Sequence, residues 1–199
     1  MKPFAITVSR QFASMGRSIS QSLARKLNIN FYDRDIVEET AKRLGFPVSQ
    51  ISRLEELYPS SYLKRMFPLG NGVQSVQDEI FMTQKNIIRD IAKRESCIIV
   101  GRCANTILMD HARLLSVYIY APKEKRLENC VEKLEMDEKS AKTILESVDK
   151  ARNAYCAAYG NERDNDFDDH QIMIDSSHFG IEGTADILAS VARSMFDLT

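Results

Sequence analysis

Phe4-Ala5-Ile6-Thr7-Val8 runs without interruption into Ser9-Arg10-Gln11-Phe12-Ala13-Ser14-Met15-Gly16-Arg17-Ser18, and the reading of this stretch decides the fold. Its first five residues are a strand-like apolar run. Beyond Ser18 the apolar residues Ile19, Leu23 and Leu27 recur at four-residue spacing, which predicts a helix. Strand, glycine-containing loop and helix in that order make a phosphate-binding loop when the letters approach G-x-x-x-x-G-K-[ST], because the N–H groups of the first helical turn point at an anion. Gly16 and Ser18 fit that pattern, while Gln11 stands in place of its first glycine and Arg17 in place of its lysine. A guanidinium still holds phosphate oxygens, and does so bidentately where an ammonium acts as a point charge. The same letters also allow a purely structural reading, in which Gly16 closes a strand-to-helix turn and Arg17 is a solvated first-turn residue.

The whole chain of 199 residues bounds the functions that such a loop can serve. Hydrophobic residues make up 44%, ordinary for one α/β domain with a small insertion. Lys and Arg number 27 against 28 Asp and Glu, a formal net charge of −1, so no basic field exists for a long nucleic acid. Cys97, Cys103, Cys130 and Cys156 form no C-x-x-C pair, which argues against a zinc site and a disulfide framework and for reduced, mostly buried thiols. His111, His170 and His178 share no metal-ligand spacing. No apolar run approaches ~18 residues and no signal-peptide pattern opens the chain, so the expectation is a soluble, cytoplasmic protein without a membrane partner.

Strand and helix patterns alternate along the rest of the sequence. Residues 3–9 read as a strand, and Ile29 to Tyr32 as a second, with Asp33 placed to cap a helix carrying Ile36, Val37, Ala41 and Leu44. Residues 48–72 read as short helical pieces around Pro59, Pro68 and a Gly70-Asn71-Gly72 turn. A long helix to Arg94 precedes Cys97-Ile98-Ile99-Val100, a continuous apolar run typical of a parallel strand covered on both faces. Leu114 to Ala121 is a further strand, and Ile172 to Ile174 a last one. Between them lie a helix with Leu127, Val131 and Leu134 and a helix with Ala141, Ile144, Leu145, Val148 and Ala151; Ile181, Ala185, Leu188, Val191 and Met195 line a C-terminal helix. Such alternation predicts a parallel sheet between helical layers, with ligands at the carboxyl ends of the strands.

The stretch from Ile6 to Asp35, ITVSRQFASMGRSISQSLARKLNINFYDRD, resembles the cytidylate kinase-like family of P-loop proteins. Ile98 to Ala104, the D-x-x-R segment Asp149-Lys150-Ala151-Arg152, and Ile174 to Ser177 followed by Gly180 to Gly183 are similar to further segments of that family, in order. The resemblance implies an α/β, P-loop NTPase-type three-layer sandwich with a five-stranded parallel sheet. Residues 1–199 then form one domain, with a core of 1–33, 76–122 and 168–199, a helical acceptor-binding insertion of about 34–75 and a lid of about 123–167. It also implies an ATP- and Mg²⁺-dependent phosphotransferase acting on a nucleoside monophosphate such as CMP or dCMP, which needs positioned charge rather than a protein nucleophile. The small-molecule nucleotide is the expected partner, and a homo-oligomer is compatible with the pattern. In better-known members the third strand ends in Asp-Gly-Arg; here it ends in Val100-Gly101-Arg102. With Gln11 and Arg17, that departure keeps open a nucleotide-binding switch with little turnover, and fold alone keeps open a kinase of another small acceptor.

The resemblance assigns roles residue by residue. Gln11, Phe12, Ala13, Ser14, Met15, Gly16, Arg17 and Ser18 would hold the nucleotide phosphates, with the Ser18 hydroxyl on the metal. Arg17, Arg102 and Arg152 would act in catalysis. Asp33, Arg34, Arg102, Asp149 and Arg152 would hold the acceptor, a carboxylate accepting from the exocyclic amine of cytosine and a guanidinium donating to an acceptor edge or the phosphate. Each has a structural alternative: Ser18 and Asp33 as helix caps, Arg102 as an ion-pair or cap residue, and Asp149 with Arg152 as an intrahelical pair three residues apart. Arg126 and Arg163 fall in the expected lid, as solvated charges or as arginines that close over the transferring group. Tyr155 and Tyr159, four apart, form either an apolar stripe or a base-stacking surface.

Overall fold

The computed structural model describes residues 2–56, 72–160 and 169–198; Pro59, Pro68, Gly70, Asn71 and Arg163 lie outside these. The strands are β1 (Ala5–Arg10), β2 (Asn30–Tyr32), β3 (Cys97–Val100), β4 (Leu114–Tyr120) and β5 (Ile172–Asp175). The helices are α1 (Gly16–Leu27), α2 (Arg34–Leu44), α3 (Val48–Glu56), α4 (Gly72–Arg94), α5 (Ala104–Ile107), α6 (Lys123–Glu132), α7 (Glu138–Tyr159) and α8 (Ser176–Phe196).

All five strands are parallel, in the order β2-β3-β1-β4-β5. β1 is central, with Val8 level with Val100 on one side and Val117 on the other. Successive strand residues face opposite ways. Ile6, Val8, Ile98, Val100, Leu115, Val117 and Ile119 therefore pack with Ile19 and Leu23 of α1 and Leu188 and Phe196 of α8, whereas Ala5, Cys97, Ile99 and Leu114 pack with Ile87, Ile88 and Ile91 of α4. Neither face meets water, which is why these strands read as unbroken apolar runs. Each fully buried isoleucine contributes on the order of 1.5–3 kcal/mol relative to exposure.

β1 extends one residue further than the apolar run predicts, because Arg10 keeps register with Ile119. α6 differs more. Its expected apolar face is Leu127, Val131 and Leu134, yet Val131 and Leu134 are 40% and 41% exposed, and its buried residues are Arg126, Asn129 and Cys130. Cys130 and the expected Leu127 pack with Ala141 and Leu145 of α7, while Arg126 and Asn129 turn to the polar backbone of the loop after β1. In α8 the path breaks at Gly180, whose φ of 63° is left-handed.

Candidate functional site

The carboxyl end of β1 is the centre of the site, and its loop, residues 11–15, is built by other elements. Ala13 and Met15 adopt left-handed φ values of 59° and 61°, each costing roughly 1–2 kcal/mol for a residue with a side chain. Fixed partners offset that cost. The Ala13 carbonyl accepts from Asn129 Nδ2 at 2.9 Å, the Ser14 carbonyl from Ser176 Oγ at 2.8 Å, and the Phe12 carbonyl from Arg126 Nη1 at 3.3 Å. The Phe12 N–H donates to Asp149 Oδ1 at 2.7 Å, and the Gln11 side chain accepts from the Ala121 N–H at 3.2 Å. Arg126 in turn donates to the Ala121 carbonyl at 3.1 Å and pairs with the other oxygen of Asp149.

Where α1 begins, the backbone presents its first turn without a side-chain cap at Met15 and without an acidic residue. A helix start in that condition has free N–H donors and the positive end of the dipole. Gly16 is required here by close approach: a Cβ on it would lie 2.8 Å from Arg10 Cβ. Arg17 is half-exposed and its Nε donates to Asp33 Oδ2 at 2.9 Å; Ser18, half-buried, follows in the first turn.

Around this helix start gather the ends of the neighbouring strands. Gly101, Arg102 and Cys103, directly after β3, all have positive φ, 74°, 60° and 51°. Three successive left-handed residues make a tight turn, and the end of the Arg10 side chain fills the space beside Gly101, Nη1 lying 2.2 Å from where a Cβ would be. Both site glycines thus make room for Arg10. Arg10 Nη2 lies 3.9 Å from Asp33 Oδ1, and Arg152, from α7, donates to the Arg10 carbonyl at 3.2 Å with its guanidinium 5.8 Å from the Phe12 ring centre.

The charge balance of this corner is uneven. Burial, then the guanidiniums of Arg152 and Arg102, push Arg10 from its usual 12.5 down to about 9, against the opposing pull of Asp33 and Cys156. Arg152 is also lowered, chiefly by burial, with Asp149 opposing and Arg102 adding to it. Arginine does not release its proton under ordinary conditions, so these shifts report burial first and the crowding of like charge second. An anion entering between Arg10, Arg17, Arg102 and Arg152 would relieve it.

The remaining residues singled out by sequence fall as follows. Asp33 occupies the N-cap position of α2, yet its carboxylate makes no capping bond and turns to Arg17. Arg34 opens α2 and is exposed. Asp149 pairs with Arg126 rather than forming the intrahelical pair that its spacing from Arg152 allows. Arg126, read as a lid charge, is 7% exposed and holds the loop. Tyr155 and Tyr159 pack on Phe81 of α4, with their hydroxyls on Gln84 and Asp78. None of the four cysteines is in a disulfide, and Cys156 alone among them is exposed.

Sequence reasoning missed Arg10, Asn129 and Ser176, and placed Arg126 in the lid without its hold on the loop. For Arg10 a signal existed: a cation as the last residue of a buried parallel strand sits where such sheets bind ligands. For the other three no local pattern marks a side chain that reaches a loop over a hundred residues away.

No helix among the described residues is long and apolar enough to cross a membrane. No curated protein matches the chain in sequence. Among solved structures, an uncharacterized protein from Eubacterium ventriosum superposes with a TM-score of 0.73 at 25% identity, over 96% of this chain and 99% of that one. A shikimate kinase from Bacteroides thetaiotaomicron gives 0.55 at 12% identity over 98% and 99%, and a gluconokinase from Sinorhizobium meliloti 0.51 at 12% over 99% and 98%. These two kinases share the fold with this chain. Residues 5–178 match the cytidylate kinase-like family, which supports a nucleotide-binding phosphotransferase. With that match spanning the sheet, the loop and the arginines around it, the chain belongs to the cytidylate kinase-like family.

Proposed function

We propose that the protein is a cytoplasmic kinase that moves the γ-phosphoryl of ATP to a nucleoside monophosphate, with CMP or dCMP as acceptor. The observation that carries this reading is the concentration of Arg10, Arg17, Arg102 and Arg152 around the uncapped start of α1. Two anionic substrates meeting end to end need such a corner, because each brings charge that water would otherwise solvate.

The loop of residues 11–18 would take the phosphates of ATP on the backbone of α1's first turn. Arg17 would follow the γ-phosphoryl, and releasing Asp33 frees its guanidinium to do so. Arg102 and Arg152 would hold the acceptor phosphate in line with the donor, supplying orientation and charge at the moment of transfer. Asp33 and Arg34 would form the edge of the acceptor site beside the insertion of about 34–75, while Asp149, in the lid of about 123–167, has both carboxylate oxygens on the Phe12 N–H and Arg126 and would fix the loop rather than read the base. The described residues bring no three His, Cys, Asp or Glu side chains together as a metal cluster. That fits Mg²⁺ held mainly by phosphate oxygens and water with the Ser18 hydroxyl, as this ion prefers. Bound there it would supply charge neutralisation on the β- and γ-phosphates.

A second reading, a nucleotide-binding sensor with little turnover, is favoured by Val100: fully buried in the core, it offers no carboxylate where better-known relatives have aspartate. Coupled ADP release across a panel of nucleoside monophosphates tests both. Turnover with CMP or dCMP above other acceptors is the expected result; tight ATP binding without turnover on any acceptor would favour the sensor.

A further inference from the structure

Cys103 and Cys156 meet beside the arginine corner although 53 residues separate them, with their Sγ atoms 3.8 Å apart. Cys103 is buried, at the last left-handed position of the turn after β3; Cys156 is exposed, one helical turn beyond Arg152 on α7. The two elements are in contact nearby as well: a Cβ on Gly160, just past α7, would lie 3.7 Å from Thr106 Oγ1 of α5. From van der Waals contact, a closure of rather less than 2 Å brings the sulfurs to the bond length of about 2.05 Å.

We infer that Cys103 and Cys156 form a reversible disulfide under peroxide, tethering α7 to the turn that carries Arg102. The chemistry balances with hydrogen peroxide as the two-electron oxidant. The Cys156 thiolate attacks one peroxide oxygen, the O–O bond breaks and hydroxide leaves, taking up the proton that the Cys156 thiol gave up, which makes one water and a sulfenic acid at Cys156. The Cys103 sulfur then attacks the Cys156 sulfur, the S–O bond breaks, and the departing hydroxyl takes the Cys103 proton as a second water.

Placement divides the roles. Cys156 is the sulfur that solvent reaches, and the guanidinium of Arg10 interacts favourably with its thiolate, the electropositive, partly exposed setting in which thiols react. The Cys103 thiol is pushed up by its contact with Cys156 and by burial, against the pull of Arg102. It is therefore the resolving partner, shielded from direct attack. Cys97 and Cys130 are both buried and stand outside this pair.

The test treats the folded protein with a small molar excess of hydrogen peroxide, then alkylates it under denaturing conditions and maps its peptides. The expected product is lighter by two hydrogens, links the Cys103 and Cys156 peptides, leaves Cys97 and Cys130 alkylated, and reverts with dithiothreitol. Cys156→Ser, a change at an exposed site, should leave all three remaining thiols alkylated after the same treatment. Sulfinic acid at Cys156 with Cys103 still alkylated, or a link between two chains through Cys156, would overturn the inference. None of these readouts depends on phosphoryl transfer.

Discussion

The loop after β1 and the arginine corner beside it share one end of the sheet and are built on opposite principles. In the loop the backbone polar groups are taken up by side chains from elsewhere: Asn129, Arg126, Asp149 and Ser176 converge on three consecutive residues, Phe12, Ala13 and Ser14. In the corner, like charges crowd together: Arg10, Arg102 and Arg152 lie close enough to repel one another, Asp33 is shared between Arg17 and Arg10, and Asp149 is bonded to Arg126. The loop is held by satisfied hydrogen bonds, whereas the corner gathers charge of one sign. A protein needs the first to be rigid before the second can be selective, since charge placed an ångström away from its target loses most of its effect.

Removing Asp149 should show the largest effect, and on stability. Its carboxylate joins the Phe12 N–H to Arg126, a side chain only 9% exposed. Asp149→Ala leaves that guanidinium buried and uncompensated, which costs about 3 kcal/mol. Urea unfolding should show a midpoint shift of that order at an unchanged slope. A shift within error, together with a selective rise in KM for CMP, would move Asp149 out of the clamp and into the acceptor site.

Arg17 belongs to the other region, and its loss should separate the two. Arg17→Ala removes a half-exposed cation and leaves the buried Asp33 carboxylate with Arg10 still 3.9 Å away, so its cost to folding should stay below that of Asp149→Ala. Its absence should lower kcat/KM for ATP by roughly 10²-fold, the scale of one electrostatic stabiliser, with the smaller of the two losses in urea stability. Equal turnover by Arg17→Ala and the parent would leave the corner without its proposed role.

How far these two regions can be read from sequence differs for the same reason. The β1-loop-α1 unit is legible because its evidence is local: an apolar run, a glycine and a helical spacing within two dozen residues. The sheet is legible because both faces are covered, so Cys97 to Val100 and Leu114 to Ala121 stand out as apolar. The clamp is not legible, since spacing predicts that Asp149 faces Arg152 while the tertiary fold supplies Arg126 from another helix. α6 misleads in part: of its expected apolar face Leu127 packs toward α7, but Val131 and Leu134 are exposed, and Arg126 and Asn129 go inward to the polar loop. Burial of Arg10 by two glycines lies between these cases, visible as a cation at a strand end but not as a cluster.

A smaller effect should come from filling the corner. Inorganic pyrophosphate at tenfold its Kd should stabilise the folded protein by about 1.4 kcal/mol, read as a raised Tm. The rise should shrink as sodium chloride is added, because the attraction is coulombic. Absence of any rise at low salt would mean that the positive charge is balanced within the protein, and the contrast between loop and corner would collapse.

Asn129→Ala should have the smallest effect, and it asks how much redundancy the loop contains. Asn129 is 7% exposed and gives its amide to the Ala13 carbonyl. Leaving that buried acceptor unpaired costs about 1–2 kcal/mol, while alanine in place of asparagine inside α6 returns roughly 0.5 kcal/mol of helix propensity. The net loss should therefore be about 1 kcal/mol in urea unfolding. Turnover with saturating ATP should stay close to that of the parent, because the Phe12 and Ser14 carbonyls and the Phe12 N–H keep their own partners on Arg126, Ser176 and Asp149. If turnover instead falls tenfold while stability barely changes, the left-handed turn at Ala13 depends on this one amide. The loop would then be no better fixed than the corner that it serves.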